Sequence, residues 1–98
     1  MEIAQDQHYR GEDWWEWSVW IEAPPGELAL VEKVIWQLHP TFPKPVVEIT
    51  DRGSKFKLKT AGWGTFRIRA DVVMSNGSTI KLQHELELNY PDGTPSPE

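Results

Sequence analysis

Two short loops in this sequence carry side chains that turning the chain does not explain. Leu38-His39-Pro40-Thr41-Phe42-Pro43 brings an imidazole, a hydroxyl and a phenyl ring close together, and Ala61-Gly62-Trp63-Gly64-Thr65-Phe66 sets an indole between two glycines. A turn needs Gly or Asn; it does not need Trp with Gly on both sides. Residues without a Cβ let backbone approach the ring from either side and leave its face and the neighbouring N–H groups open to a ligand. Phe42, between Pro40 and Pro43, offers a second ring. Two rings across a gap form a slot for a flat or slender apolar group.

Other chemistry is hard to assemble. No nucleophile motif, phosphate-binding loop, Gly-rich dinucleotide turn or paired His–carboxylate cluster is present, and Asp51, Asp71 and Glu85 stand isolated. His8, His39 and His84 lie far apart, so none has a partner at metal-ligand spacing, and each reads more simply as a histidine satisfied by backbone or solvent. Cysteine is absent, which removes disulfides, thiolate nucleophiles and Cys-based metal sites. The expectation is a protein that is not an enzyme and takes no cofactor. Ten Lys plus Arg against 15 Asp plus Glu leave a net charge of −5, which repels a phosphate backbone, so nucleic acid is not expected as a partner. Lys55, Lys57 and Lys59 alternate and read as the solvated face of a strand. The N-terminus MEIAQDQHYR lacks an apolar signal region and no apolar run nears the ~20 residues of a membrane span, so a cytoplasmic protein with no membrane insertion is expected.

The elements that must position the two loops follow from length and periodicity. At 98 residues the chain allows one domain, and 39% hydrophobic with 26% charged residues describes a folded unit. So small a core must be filled by large side chains, and six Trp supply them. The dominant period is two. Trp15, Trp17, Val19 and Ile21 share one face of a strand at 14–22 that Ala23-Pro24-Pro25-Gly26 stops, and Val34, Trp36 and Leu38 share one face of a strand at 30–38. Glu27–Glu32 reads alternatively as a short helical turn. Pro40, Pro43 and Pro45 hold the first loop extended and stiff. Strands at 46–50 and 55–60, the latter with Phe56 and Leu58 inward, flank a turn at Asp51-Arg52-Gly53. A long pair, Phe66 to Met74 and Ile80 to Leu88, is joined at Asn76-Gly77, a type I′ hairpin signal. Six or seven short strands at this spacing predict an all-β, immunoglobulin-like antiparallel β-sandwich. Residues 1–11 are expected to be a loosely ordered segment, 12–90 the domain, and the Pro-rich 91–98 a tail or linker.

The runs Val31-Glu32-Lys33-Val34-Ile35-Trp36-Gln37-Leu38-His39-Pro40-Thr41-Phe42-Pro43-Lys44-Pro45 and Gly62-Trp63-Gly64-Thr65-Phe66, with the strand Trp14-Trp15-Glu16-Trp17-Ser18-Val19-Trp20-Ile21, resemble the YEATS domain in its prokaryotic branch. The likeness covers about residues 12–90. It implies an immunoglobulin-like sandwich and, from eukaryotic members, a reader of acetylated, crotonylated or similarly acylated lysine. By position, Phe42 and Trp63 correspond to the two rings that bracket the acyl chain, and Thr41 to the hydroxyl that accepts from the acyl-amide N–H. The backbone N–H at Trp63 corresponds to the donor to the acyl carbonyl, His39 to a pocket-wall histidine that steadies the loop, and Gly64 to a residue that keeps the pocket's end open; Gly62 is counted with them among the acyl-lysine-binding positions. Eukaryotic members carry a further aromatic residue before the first matching strand, where Trp14 or Tyr9 lies here. Their domain is also about one strand longer, and the missing part includes an acidic residue that orients histone peptides.

The implied chemistry is physically consistent. An acylated lysine has lost its charge and enters an apolar slot at modest cost, whereas Lys⁺ pays a large desolvation penalty. Two hydrogen bonds at about 1 kcal/mol each plus the buried acyl carbons give micromolar affinity at best. The implied partner is an acylated protein or peptide, or a small acylated amine, bound by a domain that is monomeric in isolation. Blander readings stand beside these. Trp63 alone reads equally as a loop plug, Thr41 as an ST-turn residue, and the chain as an adaptor that binds a protein through a sheet edge or a Trp14/Trp20 patch.

Overall fold

The structure of the chain, a computed structural model, describes residues 1–95. Two antiparallel sheets face each other. One runs β1 (Glu2–Gly11), β2 (Trp14–Glu22), β5 (Leu58–Gly62); the other runs β4 (Val46–Ile49), β3 (Val31–Gln37), β6 (Arg67–Met74), β7 (Thr79–Glu85). The result is an all-β antiparallel sandwich, with a single short helix α1 (Pro25–Leu28) among the described residues. Alternation decides which side chains meet between the sheets: Trp15, Trp17, Val19 and Ile21 of β2 are buried against Val34 and Trp36 of β3 and Ile68, Ala70 and Val72 of β6. A bulge between Val31 and Lys33 of β3 resets that alternation, so Val31 and Val34 both point inward.

The first eleven residues differ from the sequence expectation. Far from being loosely held, Glu2–Gly11 pairs with nearly the whole of β2, from Glu2↔Glu22 to Gly11↔Trp14. The physical reason lies in the residues that β1 turns inward, Ile3, Gln5, Gln7 and Tyr9. Two glutamines at core positions hide the apolar period, yet both are satisfied. Gln5 donates to the Glu87 carbonyl (2.7 Å) and its Oε1 accepts from the Glu87 N–H (2.8 Å), while Gln7 Oε1 accepts from the Asn89 N–H (2.7 Å). These side-chain amides stand in for a backbone ladder and tie residues 87–89 to the opposite sheet. His84, on an inward position of β7, joins them through Nε2 at 2.7 Å from Gln5 Oε1.

The lysine-rich stretch also differs. Lys55 and Phe56 take left-handed backbone conformations (φ 60°) at the end of a 3₁₀ turn, Arg52–Ser54, and the strand begins only at Leu58. Trp36 fixes this turn by donating from its indole to the Phe56 carbonyl at 3.0 Å, with the Phe56 ring fully buried. At the other end, the chain turns back at Tyr90 and Thr94 and bridges Asn89 to Pro95. The expected tail 91–98 is thus folded as far as Pro95, and its last three residues lie outside those described.

Candidate functional site

Both unusual loops open at the same end of the sandwich because β3 and β5 end there. The first leaves β3 at Gln37 and is closed at its neck by the Leu38 N–H donating to the Pro45 carbonyl at 2.6 Å. Within it, the Phe42 N–H donates to the His39 carbonyl at 3.0 Å, a tight turn that brings His39, Thr41 and Phe42 together. The second loop leaves β5 at Gly62 and enters β6 at Arg67. Between them lies a cavity of about 390 Å³ lined by His39, Thr41, Phe42, Gly62, Trp63 and Gly64, with Trp14, Pro43, Ala61, Thr65 and Phe66 completing its wall.

The aromatic residues are not equivalent. Phe42 is half-buried and anchored edge-on to Trp17 (6.2 Å between centroids) and tilted on Phe66 (5.4 Å), so its position is fixed by packing. Trp63 is 57% exposed. An exposed indole over a cavity is apolar surface left without a partner inside the chain, and a ligand would cover it. Trp14, 45% exposed, adds a third ring to the rim. Of the two aromatic residues near that position in the sequence, Tyr9 instead packs on Trp15 and Tyr90, at 5.0 and 5.3 Å.

Polar groups in the cavity are oriented by one another. His39 Nδ1 lies 2.9 Å from Thr41 Oγ1 and also faces the Thr41 backbone N–H at 3.3 Å. An N–H pointing at Nδ1 assigns that nitrogen as an acceptor, so the imidazole proton sits on Nε2 and the Thr41 hydroxyl donates to Nδ1. The hydroxyl's lone pairs then face outward, ready to accept. Phe66, at 6.0 Å from the His39 ring, supports the imidazole from below. Sequence reasoning placed Phe66 on a core strand; its role as the floor beneath both Phe42 and His39 was signalled only by its place directly after the second loop.

Trp14 is held by a strained hairpin. Glu12 and Asp13, between β1 and β2, both have positive φ (54° and 57°). The Asp13 N–H donates to the Tyr9 hydroxyl at 3.1 Å, and the Asp13 carboxylate accepts from the Tyr90 hydroxyl at 2.6 Å. That bond, with some burial and the negative charge of Asp13, pushes the Tyr90 phenol up to about 12. A tyrosine ring from each end of the chain therefore clamps the turn that presents Trp14.

A second depression, about 480 Å³, lies on the outer face of the β1-β2-β5 sheet over Asp6, His8, Glu16, Ser18 and Lys59. Gln7, Trp17, Thr60 and Ala61 complete its wall, and no aromatic ring is presented to it from a loop. Nor do Trp14 and Trp20 make one patch: six residues of strand put them ~20 Å apart. Trp20 is already engaged, its indole donating to Glu22 at 2.8 Å and its ring facing Lys57 Nζ at 5.1 Å. Of the three alternating lysines, Lys55 pairs with Glu22 (3.0 Å) and Lys57 with this ring.

Comparison with known proteins gives a consistent family. Residues 15–87 match the model of the prokaryotic YEATS domain. Among curated proteins the chain is similar to the protein AF-9 homolog of Kluyveromyces lactis, 32% identical over an alignment of 78 residues that covers 74% of this chain and 34% of that protein. It therefore spans about a third of the length of the curated relatives it matches. Among solved structures it is similar to the Yaf9 YEATS domain recognizing an H3K122suc peptide (TM-score 0.68, 25% identity, 88% of this chain and 68% of that one). It shares the fold of the Yaf9 YEATS domain bound to H3K27ac (TM-score 0.70, 24% identity, 96% and 73%).

Proposed function

Because the chain belongs to the prokaryotic YEATS domain family, we propose that it is a non-catalytic reader module that takes up an acylated lysine side chain between Phe42 and Trp63. The module includes β1 as well as residues 12–90. The observation that carries the reading is the open 390 Å³ cavity that holds both rings beside a hydroxyl whose proton is already committed to His39. The acyl-lysine amide has one N–H and one carbonyl. Thr41 Oγ1 accepts the first and the Trp63 backbone N–H donates to the second, while the methylenes and acyl carbons lie on the rings. Gly62 and Gly64 keep side chains out of the path. The similar Yaf9 domain, whose structure is described as recognizing a succinylated histone peptide, supports an acylated-lysine ligand. A protein, a peptide or a small acylated amine presents the same group.

Unmodified lysine is rejected by the same site. No acidic residue is among those lining the cavity, so an ammonium entering it gives up its hydration without a counter-charge. The test is calorimetric titration with acetyl-, crotonyl- and succinyl-lysine peptides beside the unmodified peptide. Micromolar binding of at least one acylated form, none of the unmodified form, and binding weakened about tenfold in Trp63→Ala are expected. Equal response to all peptides, or to none, overturns the reading.

A further inference from the structure

Of the three lysines that alternate along the sequence, two are engaged within the fold. Lys55 pairs with Glu22 at 3.0 Å, and Lys57 sits over the Trp20 ring at 5.1 Å. Lys59 is exposed and has neither an ion pair nor a hydrogen bond among the described residues. Directly opposite it in the β2–β5 ladder stands Ser18, which places their Cβ atoms about 5 Å apart. Ser18 is 8% exposed, the one buried polar residue among those described, and its hydroxyl also bonds to none of them. Native folds seldom leave so buried a polar group without a partner.

Both side chains line the 480 Å³ depression on the outer face of the β1-β2-β5 sheet, and that depression adjoins the aromatic cavity, because Ala61 lines both. Ala61 pairs with Glu16 and Ser18 with Lys59, so the two small residues are diagonal neighbours and keep the floor low between the hollows. The other charges here are already occupied. Asp6 accepts from the Gln7 N–H at 2.8 Å, and Glu16 faces Arg10 at 3.5 Å. Lys59 is the charge left without a counterpart in this depression.

We propose that the depression seats the polypeptide beside the acylated lysine, and that Lys59 with the Ser18 hydroxyl receives an aspartate or glutamate side chain from it. The inference rests on the acyl-lysine reading and narrows its partner from any acylated amine to an acidic peptide segment. The ammonium and the hydroxyl both donate, so one carboxylate satisfies both. Asp6, opposite Ser18 on the far side and two strands or about 10 Å from Lys59, confines that carboxylate to the β5 side. Lys59 is two strand residues from Ala61, about 7 Å, so the acidic side chain comes from two or three positions away from the acyl-lysine.

The test is calorimetric titration with acetyl-lysine peptides that carry glutamate at the second and third positions on one side or on the other, each beside its glutamine counterpart. Without a seat for the carboxylate, the net charge of −5 makes both glutamate peptides the weaker binders. With Lys59 receiving it, one of the two binds about threefold more tightly than its glutamine form, and the preference shrinks in 0.5 M salt. Lys59→Gln abolishes the preference, and Ser18→Ala reduces it. Acetyl-lysine methylamide, which has no flanking residues, binds wild type and Lys59→Gln alike, since Lys59 does not line the aromatic cavity. Glutamate peptides that bind no better than their glutamine forms, or a preference that survives Lys59→Gln, overturn the inference while leaving the acyl-lysine reading intact. Binding of no acyl-lysine at all overturns both.

Discussion

Thr41→Val separates a binding hydroxyl from a loop-shaping one. Valine keeps the shape of threonine and removes the only group at this position that can accept from an acyl-amide N–H. Once the slot is closed over the ligand, an amide N–H left without an acceptor costs about 1–3 kcal/mol. Taking ~2 kcal/mol, the dissociation constant rises about thirtyfold. The fold pays little, because Thr41 is exposed and its hydroxyl meets His39 Nδ1 at the surface. Losing that contact shifts stability by no more than ~0.5 kcal/mol, or about 2–4 °C in melting temperature for a chain of this size. Calorimetry of the acyl-lysine peptide and a thermal melt, run on wild type, Thr41→Val and Thr41→Ser, give the answer together. Serine restores an acceptor and is expected to bind within about threefold of wild type. The reasoning is refuted if Thr41→Val binds like wild type while its melting temperature drops well beyond that range, for then the hydroxyl serves only the turn between His39 and Phe42.

Three further outcomes follow from the geometry. Trp63→Ala removes a ring that is more than half exposed, so its melting temperature stays within about 3 °C of wild type, while acyl-lysine affinity falls about tenfold through the loss of ~50 Å² of apolar contact. Glu12→Gly relieves a left-handed backbone at φ 54° and is expected to raise stability by about 0.5–1 kcal/mol after the entropy cost of glycine, read as a higher denaturant midpoint. The Tyr90 phenol, raised from 10 to about 12 by its hydrogen bond to Asp13, favours the fold in its neutral form. That contribution is complete below pH 10 and is lost as pH climbs through about 12. Denaturation midpoints recorded from pH 8 to 12 fall for wild type, and fall less for Tyr90→Phe.

What the sequence made legible was whatever obeyed a simple period or stood out against it. Trp15, Trp17, Val19 and Ile21 announced one inward face, and Trp63 between two glycines announced the site because no turn requires it. β1 stayed hidden for the opposite reason. Its inward face carries Gln5 and Gln7, and only the packed structure supplies the Glu87 and Asn89 backbone groups that make glutamine acceptable there. The β1–β2 turn was equally unreadable, since Glu12 is a poor candidate for positive φ and the neighbouring Asp13 is held by Tyr9 and Tyr90 from opposite ends of the chain. The same distinction applies to the site. Trp14 apart, its lining comes from two contiguous segments and is local in sequence; what holds that lining is not, since Phe42 and Phe66 both pack against Trp17 of β2 and against each other, contacts that only the folded chain supplies.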